Sequence, residues 1–193
     1  MKVIGSYLLI IFALLTAACG GEEALIPKPK GYQRIELPAK KYYRVTNPCN
    51  YSMEIPVYSE MVLDKYPNAE PCWYNIQYKP FNVTLHLSYR PVQSRDSLFK
   101  LINDSRVMVY KHVIKADEII ENYISKPHKY GIFYELDGST ATNAQFYVTD
   151  STTHFLRGSL YFNSATNQDS IMPVLNFLKK DMLRMIETLE WKK

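Results

Sequence analysis

The start of the chain limits everything that follows. Lys2 precedes an almost unbroken apolar run from Val3 to Leu15, and the small residues Thr16-Ala17-Ala18 come next. A positive residue, a short apolar stretch and a small-residue cleavage box together make a secretory signal peptide. The run falls short of the about 20 apolar residues that a membrane-spanning helix needs. Residues 1–18 are expected to be removed on export, and residues 19–193 then have to fold outside the cytoplasm.

Cys19 stands immediately behind Ala17-Ala18. The segment resembles the signal of bacterial lipoproteins, in which an apolar and small-residue box precedes a cysteine that is lipidated; Thr16 occupies the place where Leu is usual. The alternative is an ordinary cleavage site with a free thiol beside it. Lipidation of Cys19 is the preferred reading, because an exported thiol at that place has no evident use. Acyl chains such as palmitate contribute about 0.8 kcal/mol per buried CH₂, so several chains anchor firmly. Gly20 follows the cysteine where an Asp would retain the protein, which resembles lipoproteins sent on to the outer membrane. Residues 19–30 then form a lipidated tether that ends at Pro27-Lys28-Pro29-Lys30-Gly31. At roughly 3.3–3.6 Å per residue it reaches about 40 Å at most, which keeps the body close to the membrane.

Export also bears on the other cysteines. With Cys19 acylated, Cys49 and Cys72 remain, and an isolated pair in an oxidising compartment reads as a disulfide. Closing a loop of that length is worth roughly 3 kcal/mol on the chain-entropy model. A catalytic cysteine served by a histidine lacks any local signature.

The chain of 193 residues, 47% hydrophobic and 22% charged, has globular composition, and its body, residues 31–193, has the size of a single domain. A net charge of +4 without a basic stripe does not point to nucleic acid. Of the 7 glycines, Gly5, Gly20 and Gly21 lie at the N-terminus; the four in the body do not make a GxGxxG or a Walker loop. The 16 tyrosines favour strands and amphipathic surfaces.

Strands are expected at Tyr42 to Val45 and Tyr51 to Val57, separated by Asn47-Pro48, and at Trp73 to Tyr78 and Asn82 to Tyr89 around Lys79-Pro80-Phe81. The last alternates cleanly, with Val83, Leu85, Leu87 and Tyr89 against Thr84, His86 and Ser88. Tyr58 to Asn68 fits no pattern. Ser94 to Ile124 reads as helical: Leu98, Leu101, Ile102, Met108 and His112 follow helical spacing, as do Ile119, Ile120, Tyr123 and Ile124, with a break near Ala116 and a stop at Pro127. Three strands follow at Tyr130 to Leu136, Ala144 to Thr149 and His154 to Phe162, then a second amphipathic helix from Ile171 to Leu189. The order predicts an α+β fold, an antiparallel sheet with two main helical segments.

Alternation divides the sheet residues between two faces. Tyr74, Ile76, Tyr78, Val83, Leu85, Leu87, Phe146, Val148, Leu156 and Leu160 are expected under the helices. Trp73, Asn75, Gln77, Thr84, His86, Ser88, Gln145, Tyr147, Thr149, Arg157 and Tyr161 fall on the other face, where aromatics and Arg among polar groups resemble an interface. The same composition suits an ordinary solvated face. If it binds a partner, His86, Tyr147, Arg157 and Tyr161 are its expected anchors, with the Arg157 guanidinium stacked on Phe155 or Tyr161.

Enzyme signatures are missing. Ser97-Leu98-Phe99-Lys100 matches SxxK without a KTG element, and no GxSxG, HExxH or CxxC occurs. His86, His112, His128 and His154 are scattered, so neither a metal nor a cofactor is expected, and the chain reads as no enzyme. Asp96-Ser97-Leu98, Asp150-Ser151-Thr152 and Asp169-Ser170-Ile171 resemble bacterial O-glycosylation acceptors, which would modify Ser97, Ser151 and Ser170. Helix caps and turns prefer the same residues.

Several blocks together resemble the gliding motility lipoprotein GldD family. They are Pro27-Lys28-Pro29-Lys30-Gly31-Tyr32 with Ile35-Glu36-Leu37-Pro38, Pro71-Cys72-Trp73, His86-Leu87-Ser88-Tyr89, Tyr110-Lys111-His112 with Lys115-Ala116-Asp117, His154 to Phe162, and Ile186 to Trp191. The resemblance covers nearly the whole mature chain. It implies an envelope lipoprotein needed for surface gliding and tied to type IX secretion, without established catalysis, acting through other gliding and secretion proteins. Its strand–helix order is also similar to PsbP-like domains. The other class of function is an envelope enzyme or a carrier of lipid or glycan, which a deep pocket with a converged His and carboxylate would favour.

Overall fold

A computed structural model describes residues 35–163 and 168–192, with backbone alone at 168–170. The signal peptide, Cys19, the tether and the first residues of the body lie outside the described residues. Ten strands, a 3₁₀ turn and two helices follow in chain order: β1 (Tyr42–Thr46), β2 (Tyr51–Pro56), β3 (Glu60–Leu63), β4 (Trp73–Tyr78), the 3₁₀ turn Lys79–Phe81, β5 (Val83–Pro91), α1 (Arg95–Tyr110), β6 (Ala116–Lys126), β7 (Lys129–Gly138), β8 (Ala144–Thr149), β9 (His154–Phe162), α2 (Gln168–Thr188) and β10 (Glu190–Trp191). The fold is α+β. A seven-stranded sheet runs β3-β4-β5-β9-β8-β7-β6 and a three-stranded one runs β1-β2-β10. All pairings are antiparallel.

Local chemistry sets the corners. Asn82 takes the left-handed conformation, at φ 51°, between β4 and β5. Ser94 caps α1 in a reciprocal box: its side chain accepts from the Ser97 N–H, and the Ser97 hydroxyl accepts from the Ser94 N–H. Pro173 lies in the second turn of α2 as the structure draws it.

The inner face of the large sheet carries Ile76, Tyr78, Val83, Leu85, Leu87, Phe146, Val148, Leu156 and Leu160, all buried. Leu175, Leu178, Met182, Met185 and Ile186 of α2 and Tyr51, Met53 and Ile55 of β2 complete this core. Asp181, fully buried on α2, accepts from Lys40 Nζ at 2.6 Å, Tyr42 Oη at 2.8 Å and Tyr58 Oη at 2.7 Å. That cluster ties α2 to the strands before it. A disulfide joins Cys49 to Cys72, with their Cα atoms 5.7 Å apart, and so links the β1–β2 turn to the start of β4.

Two expectations need correction. Ile119 to Ile124 is not helical: it belongs to β6, an edge strand of 11 residues paired with β7. Its β-branched and aromatic residues suit a strand. Pro127 with His128 at φ 57° supplies the turn, proline presetting one corner and the left-handed residue the next. The two helices also do not share a face. A second core of Leu98, Val109, Ile132, Tyr134, Leu136, Tyr147 and Phe155 places α1 on the outer face, over β8 and β9. Within α1 it is Val109 that is buried, at 1% exposure, while Met108 is 37% exposed. No helix among the described residues is long and apolar enough to cross a membrane.

Candidate functional site

The outer face has a covered half and an uncovered one. Cross-strand register arranges its polar residues in rows. One row reads Trp73, Ser88, Arg157 and Tyr147; the next reads Asn75, His86, Ser159 and Gln145; a third holds Gln77, Thr84 and Tyr161. His86, Tyr147, Arg157 and Tyr161 do project from the same face, as the strand parity requires. They do not form one exposed site. Tyr147 is 6% exposed, stacked on Phe155 at 5.6 Å beside Tyr134. It belongs to the core that α1 covers, because an apolar helix stripe seals the strand it crosses.

The other three stay half-buried beyond the helix. The His86 ring meets Tyr161 edge to face at 5.4 Å. Arg157 stacks on neither Phe155 nor Tyr161 among the described contacts; its Nη2 donates to Gln145 Oε1 at 2.6 Å. Ser159 Oγ donates to the same oxygen at 3.2 Å. Burial lowers the pKa of Arg157. Burial also lowers that of His86, with the charge of Arg157 pushing the same way and Asp64 opposing. His112, just past the end of α1, is lowered by burial and then by Arg157. Helical spacing marks it only as part of a stripe; that the Arg157 charge reaches it depends on which sheet face α1 covers. Trp73 Nε1, Asn75 Oδ1 and Gln145 Nε2, all in these rows, are buried and without hydrogen-bond partners.

A cavity of about 790 Å³ opens elsewhere, lined by His128, Lys129, Asp150, His154, Trp191 and Lys192 among others. Its lining holds two histidines, His128 and His154, and two carboxylates, Asp150 and Glu190, of which His154 and Asp150 are committed to the fold. His154 Nδ1 hydrogen-bonds Tyr89 Oη at 2.8 Å, and its ring stacks on Trp191 at 5.0 Å. Asp150 accepts the N–H groups of Thr152, Thr153 and His154 and the hydroxyls of Thr152 and Thr153. Burial pushes its pKa up, but these bonds outweigh it and hold the carboxyl well below its usual range. Such a carboxylate closes a turn and is a poor proton acceptor.

The three serine acceptors separate. Ser97 spends its hydroxyl on the α1 cap, where it also donates to the Ser94 carbonyl at 2.8 Å. Ser151 is exposed in the Asp150 turn at φ 70°. The Ser170 side chain lies outside the described residues. No metal-binding group of His, Cys, Asp and Glu occurs among the described residues.

Comparison with known proteins gives three results. The solution structure of cyanobacterial PsbP (CyanoP) from Synechocystis sp. PCC 6803 aligns with a TM-score of 0.48 at 10% identity, covering 82% of this chain and 97% of that one. No curated protein matches by sequence. A family model described as "Gliding motility lipoprotein GldD" matches residues 22–191.

Proposed function

The chain belongs to the gliding motility lipoprotein GldD family, and from that premise we propose that it is a lipid-anchored, non-catalytic assembly component of the gliding machinery and of the type IX secretion tied to it. Lipidation at Cys19 holds the body at the envelope, at the outer membrane on the reading of Gly20. The body docks other proteins of the machinery through the uncovered half of the outer sheet face. One observation carries the docking surface: α1 covers β8 and the near part of β9, while Arg157, His86 and Tyr161 stay half-buried beyond it. Arg and Tyr are common interface anchors, and truncating a buried one often costs about 2 kcal/mol or more of binding.

A photo-reactive residue at Gln77, in the third row of this face, is expected to crosslink a specific envelope protein in gliding cells. The same probe at Phe99, on the exposed side of α1, is expected not to. Equal capture from both positions would refute the docking face. Replacing Cys19 with Ser is expected to leave the protein unanchored or uncleaved, and acyl labelling equal to that of the unmodified chain would refute the anchor.

A further inference from the structure

Among the described residues, four of the six arginines lie near a carboxylate. Arg44 lies near Glu54 and Glu190, Arg90 near Glu70, Arg106 near Glu121 and Arg184 near Glu54. Arg95 is exposed at the start of α1, over the ring of Phe99. Arg157 is half-buried, and no described carboxylate pairs with it; its hydrogen bond goes to a neutral amide oxygen. A desolvated cation without a counter-charge is costly, and proteins normally pair it.

The rows around it hold two donors without acceptors, Trp73 Nε1 and Gln145 Nε2, and one acceptor without a donor, Asn75 Oδ1. Gln145 is 1% exposed. Its oxygen is taken by Arg157 and Ser159, which fixes the amide orientation and leaves Nε2 as a donor without an acceptor. Trp73, in the same register row as Arg157, holds an unpartnered Nε1–H. His86 lies on the same face of the sheet, in the register row next to that of Arg157, and the Arg157 charge acts on it and on His112. The nearby Asp64 acts on His86, and its Oδ1 accepts the Tyr66 N–H at 2.9 Å.

We infer that Arg157, backed by Gln145 and with His86 in the next register row, is a binding site for a carboxylate group. The guanidinium fork matches the two oxygens of such a group. The site has one permanent cation, which balances a singly charged carboxylate and falls short of a dianionic phosphate. This rests on the docking reading of the outer face and makes it specific: the group belongs to an acidic side chain or chain terminus of the protein that docks there.

The test uses the full lipidated chain in detergent with isotope-labelled histidine, followed by NMR. Acetate, inorganic phosphate and a tetraglutamate peptide are titrated separately. The His86 and His112 signals are expected to move and saturate with acetate, and to saturate at a concentration at least tenfold lower with the peptide. Arg157→Gln is expected to abolish both responses with its thermal melt unchanged, and Arg157→Lys to weaken them about tenfold. The site is overturned if neither carboxylate probe gives saturable shifts, if Arg157→Gln responds like the unmodified chain, or if phosphate saturates at lower concentration than acetate. Crosslinking from Gln77 separates the two readings. Saturable carboxylate shifts without a crosslink sustain the site and remove the docking face. A crosslink that survives Arg157→Gln sustains the face and removes the carboxylate from it.

Discussion

The two faces of the large sheet are built from the same strands and are finished differently. On the inner face α2 and β2 supply apolar side chains to the strands, Lys179 of α2 pairs with Glu135 of β7, and the fully buried Asp181 receives three donors. On the outer face α1 covers one half only, and the other half holds a cation and buried amide and indole groups that the fold leaves unpaired. Period-2 alternation explains how one strand serves both, since each residue belongs to one face and is free to be chosen for it. Both faces leave polar atoms unpartnered, the Tyr51 and Tyr78 hydroxyls within the inner core and the amide and indole groups outside it; what sets the outer face apart is the half-buried cation that no described carboxylate pairs.

That contrast is open to measurement. The largest effect is expected at Asp181→Ala, which strands Lys40, Tyr42 and Tyr58; the loss should be about 4 kcal/mol, as for breaking a buried ion pair, read by denaturant unfolding. A loss below 1 kcal/mol would mean that the inner face does not depend on its polar pin. Leu178→Ala, beneath the sheet, should cost about 3 kcal/mol through the cavity it leaves. Replacing Cys49 and Cys72 with Ser should cost about 3 kcal/mol on the chain-entropy model, with near-native circular dichroism in the cold. Arg157→Met should behave oppositely. Removal of a desolvated, uncompensated charge should leave stability within about 1 kcal/mol of the parent or raise it, while gliding is lost. A steeply destabilised Arg157→Met would assign this residue to the fold and erase the contrast between the faces.

The smallest effect concerns pH. His86 and His112 both lie below the ordinary value of 6.5 in the folded chain. As pH falls through 6.5 the unfolded chain therefore binds protons first, and stability declines; it is regained as pH rises. Removing the charge at Arg157 should raise both values and flatten that slope. Histidine NMR titrations that are unchanged in the variant would show that burial alone sets them.

The inner face was legible because its pattern is redundant. Val83, Leu85 and Leu87 alternate, Phe146 and Val148 match them in register, and the α2 stripe has a sheet to lie on. The outer face was legible in its residues but not in its cover. An apolar stripe at Leu98, Leu101, Ile102, Met108 and His112 says that α1 packs on something, and nothing local says on which side, or that Val109 rather than Met108 is the buried residue. That omission is why Tyr147 read as exposed and His112 as part of a stripe. Ile119 to Ile124 satisfied helical spacing and strand composition together, and pairing with β7 decided between them. β10, with two residues, is too short to leave a pattern and exists through its bonds to β2.

The disulfide gives the body a mechanical property. Any load that arrives along the chain from its N-terminal side enters at β1, whose only strand partner among the described residues is β2. The Lys40 and Tyr42 bonds to Asp181 and then the β1 ladder are non-covalent and yield first. Extension then stops at Cys49, because the next link is a covalent bond into β4, inside the large sheet. The stretch from residue 35 to residue 48 pays out about 50 Å at roughly 3.3–3.6 Å per residue. Past that length, force is delivered to the strand next to β5 once the Asp181 bonds and β1 have given way, with β2 still in place. The crosslink therefore works as a strain limiter, and reduction would convert a short elastic leader into a route for unravelling β2.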